Sequence, residues 1–197
     1  MNNPETELLW RLRQGDSDAF TPLVEMYQTP VYNLCSRMLG NPQDAEDAAQ
    51  ETFWRAYQAI HRYDPKRSFA TWLLSIAAHY CIDQQRKRRL TTFDIDLLPE
   101  GNVVDHSPTP ERVISQKEED QIVHNMLSKM NPQDRAAIIL RYWYDFSEKE
   151  ISQALNLSNS AVKSRLFRAR KQIAKIWEAT HLNSISSGEK QHVSPAF

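Results

Sequence analysis

Ser160, Lys163, Ser164, Phe167, Arg168 and Lys171 fall on one side of a helical wheel drawn through SNSAVKSRLFRARKQIAK, residues 158–175. Hydroxyls, cations and an aromatic ring sharing one face suit phosphate binding and base-edge readout rather than bond-making chemistry. Phe167 stands out, because a face that is only solvated would carry Glu, Lys or Gln. An outward ring suits contact with a thymine methyl. The other side of the wheel carries Val162, Leu166, Ala169, Ile173 and Trp177 at spacings of four, three, four and four, the stripe of a helix packed on one face.

A second set lies in HRYDPKRSF, residues 61–69, where Arg62, Tyr63, Lys66 and Arg67 lead into Phe69. Cations interleaved with rings suit a single-stranded nucleic acid, the cations following phosphates while rings stack on or pocket exposed bases. Taken without context, such aromatics more often anchor a loop to a core. Downstream, Trp72, His79, Asp83 and Arg86 align at helical spacing beside a buried stripe of Leu73, Ile76, Ala77 and Tyr80. The run Arg86 to Arg89 then gives that helix a basic end, which the helix dipole also favours.

A third set is acidic. Asp44, Glu46, Asp47 and Glu51, with Gln50 among them, occupy the first turns of a helix that opens at Asn41-Pro42. The dipole accounts for two of these acids and leaves a partner-docking face open for the rest. Acid–base catalysis fits poorly, since no nucleophile, metal set or phosphate loop accompanies them.

The elements that must position these groups all read as helices. A first helix, Glu5 to Gln14, ends at Gly15. A second, capped by Asp16 to Asp18, carries Phe20, Leu23, Val24, Tyr27, Val31 and Leu34 at three-to-four spacing, with Pro30 expected to kink or end it. Gly40 closes it. The helix carrying the acids and the one from Phe69 to about Arg89 follow. Periodicity is then lost from Leu90 to about Gln116, a stretch with five acids against two bases through Lys117, which reads as a flexible acidic linker. Helix resumes from Glu118 to Met130, again after Asn131-Pro132, and at Ser147, where Glu150 completes a capping box. Asn156-Leu157-Ser158 then turns into the basic helix. A short helix, a tight turn and a basic second helix make a helix-turn-helix, whose second member enters a major groove. The tail past about Thr180 reads as polar and disordered.

Composition narrows the function. The 197 residues carry a net charge of −1, so nucleic-acid binding must rest on local charge. Residues 151–178 supply it, with six Lys/Arg against one acid. Cys35 and Cys81 form no CxxC pair and the six histidines are scattered, so neither a metal site nor a disulfide framework is expected. No cofactor is implied. The chain lacks an apolar run of roughly 18 residues and a signal peptide, which points to a cytoplasmic protein without membrane insertion.

With both halves read, residues 5–178 resemble the extracytoplasmic-function group of bacterial sigma factors, the promoter-recognition subunits of RNA polymerase. The resemblance rests on four motifs in order: GDSDAFTPLVEMYQTPVYNLCSRMLGN, DAEDAAQETFWRAY, SFATWLLSIAAHYCIDQQRKR and FSEKEISQALNLSNSAVKSRLFRARKQI. It implies an all-α fold of two small helical domains, 1–90 and 117–178, joined by the linker at 91–116, with a tail at 179–197. It further implies that Asp44, Asp47, Gln50, Glu51 and Phe53 dock on the clamp coiled coil of core RNA polymerase, with the flap as a further contact. Arg62, Tyr63, Lys66, Arg67, Phe69, Trp72, His79, Asp83 and Arg86 would grip the melted non-template strand of the −10 element. Arg141, Lys163, Ser164, Phe167, Arg168 and Lys171 would meet the −35 duplex. An anti-sigma factor is a further possible partner, holding the protein at the inner face of the membrane. Two departures stand out, His79 where the family more often has Asn, and the tail after Thr180. The implied protein is a specificity subunit and not an enzyme. The alternative is a stand-alone helix-turn-helix regulator that binds an operator without polymerase.

Overall fold

The computed structural model describes residues 4–94 and 122–188. Helix α1 (Pro4–Arg13) buries Leu9 and Leu12, and Gly15, at a φ of 94° that favours glycine, turns the chain. A 3-10 turn at Ser17–Ala19, capped by the Asp16 carboxylate, leads into α2 (Phe20–Leu39). Pro30 does not end this helix. Its ring leaves the Met26 carbonyl without an i+4 donor, a local loss that the burial of Leu23, Val31, Leu34 and Met38 outweighs. Gly40 then stops it at φ 77°, donating to the Ser36 carbonyl at 2.8 Å.

Helix α3 (Pro42–Ala59) begins as its sequence dictates, with the Asn41 side chain accepting from the Asp44 N–H and proline in the first turn. Its buried stripe is small, consisting of Ala45, Ala48, Thr52 and Ala56, so α2 and α4 (Phe69–Asp94) pack closely against it. Helix α4 runs past the expected end near Arg89, placing 91–94 in a helix. The remainder of the expected linker, 95–116, lies outside the described residues.

A helix at 122–128 (α5) precedes α6 (Pro132–Trp143), which Asn131 caps. Ala136, Ala137, Ile138, Ile139 and Leu140 are all buried in succession, a pattern no helix with one wet face produces. The reason is that α6 lies between two layers. It packs on α2 and α4 on one side and on α8 (Asn159–Gly188) on the other, while α7 (Glu148–Ala154) also touches α4. The buried side chains of the two halves therefore form one continuous cluster. Helix α8 continues to Gly188, where a disordered tail was expected from about Thr180. Residues 189–197 lie outside the described residues. The thiols of Cys35 and Cys81 are buried, and the hydrogen bond with Cys35, then burial, raise the Cys81 pKa well above the ordinary thiol range.

Candidate nucleic-acid interface

The capping box predicted from Ser147 and Glu150 is formed, with the Glu150 N–H donating to the Ser147 hydroxyl and the Ser147 N–H to the Glu150 carboxylate. Helix α7 ends at Ala154, the chain turns through Asn156 at φ 52°, and the Ser152 hydroxyl donates to the Leu157 carbonyl at 2.5 Å. The Ser158 hydroxyl then accepts from the Ala161 N–H, starting α8. This turn fixes which face of α8 is outside. Val162, Leu166 and Ala169 are buried, whereas Lys163, Ser164, Phe167, Arg168 and Lys171 are exposed, Phe167 by 63%. Trp177 departs from the expected buried stripe and is exposed, because α8 there has outrun the core.

The cations of this face are differently held. Lys163 lies 3.8 Å from Glu148 in an exposed pair. Arg141, at the end of α6, donates to the Phe146 carbonyl at 2.9 Å and so helps to close the α6–α7 turn. Arg168 is paired with Asp134, a carboxylate in the first turn of α6 that is only 7% exposed and that also takes a 2.7 Å bond from Arg165.

The loop after α3 corrects two expectations. Tyr63 is 5% and Phe69 1% exposed, so neither ring can stack on a base as placed. The Tyr63 hydroxyl donates to the Arg67 carbonyl at 2.6 Å, and its ring meets Phe69 edge-on at 5.5 Å and Trp72 at 5.3 Å. These aromatics anchor the loop, which lacks the periodicity that would have shown which way they point. Arg62, Lys66 and Arg67 remain exposed. Beside Arg67 opens a cavity of about 670 Å³ whose lining includes Trp10, Arg13, His61, Tyr63, Arg67 and Phe69. Trp10, Arg13 and His61 were missed by the sequence reading, although Trp10 sits off the Leu8, Leu9 and Leu12 stripe and is exposed, the same signal that singled out Phe167.

On α4, Trp72 and His79 are half-buried while Asp83 and Arg86 are exposed, the last two within 3.9 Å of each other. His79 places Nδ1 at 2.9 Å from the Ser75 carbonyl. A carbonyl only accepts, so Nδ1 carries the hydrogen of this bond.

The acidic set on α3 divides. Asp44 pairs with Arg88 of α4 at 2.5 Å, a bond that raises the Arg88 pKa, and Glu51 pairs with Arg55 at 2.7 Å. Asp47 and Gln50 are exposed near the middle of the outer face. Phe53 instead wedges toward α2, edge-on to Phe20 at 6.4 Å, beside a groove of about 450 Å³ that Gln50 also lines. Trp54, 57% exposed and stacked on Tyr57 at 6.4 Å, lies on that outer face and was missed. Among the described residues no group of His, Cys, Asp or Glu could hold a metal ion, and no helix is long and apolar enough to cross a membrane.

Comparison with known proteins matches residues 23–91 to the family model of sigma-70 region 2 and residues 120–173 to that of sigma-70 region 4. The ECF RNA polymerase sigma factor SigW of Bacillus subtilis is 35% identical over 173 residues, covering 84% of this chain and 92% of SigW. This chain belongs to the extracytoplasmic-function group of sigma-70 factors. The RNA polymerase sigma-H factor of Pseudomonas aeruginosa is 30% identical over 178 residues, covering 87% and 92% of the two chains. The fold agrees with two solved structures. CnrH, in complex with the cytosolic domain of CnrY, has a TM-score of 0.67 at 23% identity and covers 90% of this chain and 99% of its own. RpoE, in complex with the anti-sigma factor NepR from Bartonella quintana, has a TM-score of 0.65 at 21% identity, covering 81% and 96%. As a sigma factor the chain binds core RNA polymerase and directs transcription initiation at promoters. The region 2 match over the first half leaves the stand-alone regulator without support.

Proposed function

We propose that the two halves divide the work, residues 1–90 docking on core polymerase and holding melted −10 DNA, residues 117–178 reading the −35 duplex, and 91–116 joining them. The observation that carries this reading is Phe167, an aromatic 63% exposed on a face otherwise made of hydroxyls and cations. Burying such a ring in water-free contact with a thymine methyl recovers the free energy its exposure forgoes. Lys163 and Lys171 neutralise phosphates, and Arg168 reads a base edge.

In the first half, Arg62, Lys66 and Arg67 follow the backbone of the displaced strand, and the cavity that Arg67 lines takes an unstacked base with Trp10 and His61 at its wall. The stripe Trp72, His79, Asp83 and Arg86 continues that path along α4. Asp47, Gln50 and Trp54 form the centre of the polymerase-docking face, with Asp44 and Glu51 at one flank and Phe53 at the other. The polymerase performs the chemistry, and this subunit contributes recognition.

The test is transcription by holoenzyme reconstituted from the full chain and core polymerase on a pool of promoters randomised at both elements. Arg168→Ala should cost about 1–3 kcal/mol of selection at a single −35 position. Loss spread evenly over all positions would make Arg168 a phosphate contact.

A further inference from the structure

We infer that Asp134 is a positioning residue for promoter readout, acting through Arg168. Asp134 touches no DNA-facing surface itself. It sits in the first turn of α6, almost fully buried, and its two oxygens take three bonds from arginines of α8. Oδ1 receives Arg165 Nη1 at 2.7 Å and Arg168 Nη2 at 3.2 Å, and Oδ2 receives Arg168 Nε at 3.2 Å. Arg165 also donates to the Gln133 side chain.

The two arginines are thereby given different roles. The Arg165 side chain is 19% exposed and directs Nη1 and Nη2 to α6, so it serves as a strut between the helices. The Arg168 side chain is 55% exposed and is held along one edge only, the Nε–Nη2 edge. A guanidinium has five N–H donors in a rigid plane, so a carboxylate gripping one edge fixes the plane and leaves the Nη1–Nη2 edge available. Two parallel N–H groups on that free edge match O6 and N7 of guanine. Arg168 is thus oriented before DNA arrives, and less side-chain freedom is lost on binding. The net charge also suits DNA. One carboxylate shared by two guanidiniums leaves the group net positive beside the duplex.

This inference rests on the proposed reading of Arg168 as a base contact. It makes a prediction that bulk electrostatics alone does not. Removing an acid next to DNA should raise overall affinity, whereas removing the residue that orients the reader should lower discrimination at one base.

The experiment uses holoenzyme made from the full chain and core polymerase, with a duplex promoter pool randomised across the −35 region, the bound fraction being sequenced. Arg168→Ala should flatten one position by roughly 5- to 150-fold, the span of a bidentate arginine pair. Asp134→Asn, which keeps the shape but loses the charge, should flatten that same position by about threefold or more, leave the others intact and leave total retention undiminished. Asp134→Ala should follow it, with thermal unfolding checking both variants. If both keep the preference that Arg168→Ala removes, the inference fails while the assignment of Arg168 stands. If Asp134→Asn weakens every position alike, Asp134 is only a brace and the inference fails. If Arg168→Ala flattens no position, the base contact fails and the inference falls with it.

Discussion

The Tyr144 hydroxyl donates to the backbone carbonyl of Pro30 at 2.5 Å, joining the end of α6 to the middle of α2 across 114 residues of chain. Nearby, the Arg37 guanidinium lies 5.2 Å from the Trp143 ring centroid, and Gln85 and Arg135 both donate to the Met38 carbonyl at the end of α2. The second half therefore satisfies backbone acceptors of the first. Burial raises the Tyr144 pKa above the ordinary phenol value, which favours the protonated hydroxyl that makes this bond.

Tyr144→Phe retains the ring and removes only this bond. The expected loss is about 1 kcal/mol, seen as a fall in Tm of about 2–4 °C for a chain of this size. A melt that superimposes on the parent would mean that the carbonyl is equally well served without Tyr144.

Neighbouring residues on α8 should behave oppositely. Phe167→Ala should leave stability within about 0.5 kcal/mol, because the ring is already in water, yet lower transcription from a −35-dependent promoter about tenfold. Leu166→Ala, one position away but buried, should cost about 2–5 kcal/mol of folding stability. Paired unfolding and transcription measurements distinguish the two. A large stability loss for Phe167→Ala would place the ring in the core.

These two residues also show how much was readable beforehand. Period and caps located most helices, since Asn41-Pro42, Asn131-Pro132 and Ser147 with Glu150 each satisfy N-terminal N–H groups by local rules. The outer face of α8 was legible because a helical wheel gives an outward direction, and an outward ring has no packing reason. Tyr63 was misread because a loop offers no wheel, and Phe69 because its sequence was read with that loop although it opens α4; the neighbours Trp72 and Tyr27 turn the two rings inward. The Asp134 to Arg168 pair was invisible for another reason. It spans 34 positions and depends on how α6 crosses α8, which no local pattern encodes.

The capping box on α7 gives a pH-dependent prediction. Hydrogen bonds from Ser147 to the Glu150 carboxylate lower its pKa below the ordinary value of 4.5. A depressed folded pKa means stability present above the unfolded value and lost as pH falls through the folded one. Ser147→Ala should therefore cost about 1 kcal/mol at neutral pH. The penalty should shrink as the pH drops below 4.5, where Glu150 begins to protonate in the unfolded chain. Urea unfolding of both proteins across that range reads it directly. A penalty that stays constant into acid would show that Ser147 acts only through the Glu150 N–H.

Trp54 tests the docking face of α3. Its ring is 57% exposed and stacks on Tyr57, which packs in turn on Phe20 at 5.1 Å, so the indole is held rigid without being buried. A rigid exposed aromatic beside Asp47 and Gln50 has the makings of an interface hot spot, where truncation costs about 2 kcal/mol or more. Trp54→Ala should then fold normally but need roughly 30-fold more protein to displace the labelled parent from core polymerase. Asp47→Ala, removing an exposed charge, should act mainly on association rate and its salt dependence. If Trp54→Ala competes as well as the parent while Asp47→Ala does not, docking on this face is electrostatic and the aromatic pair lies outside it.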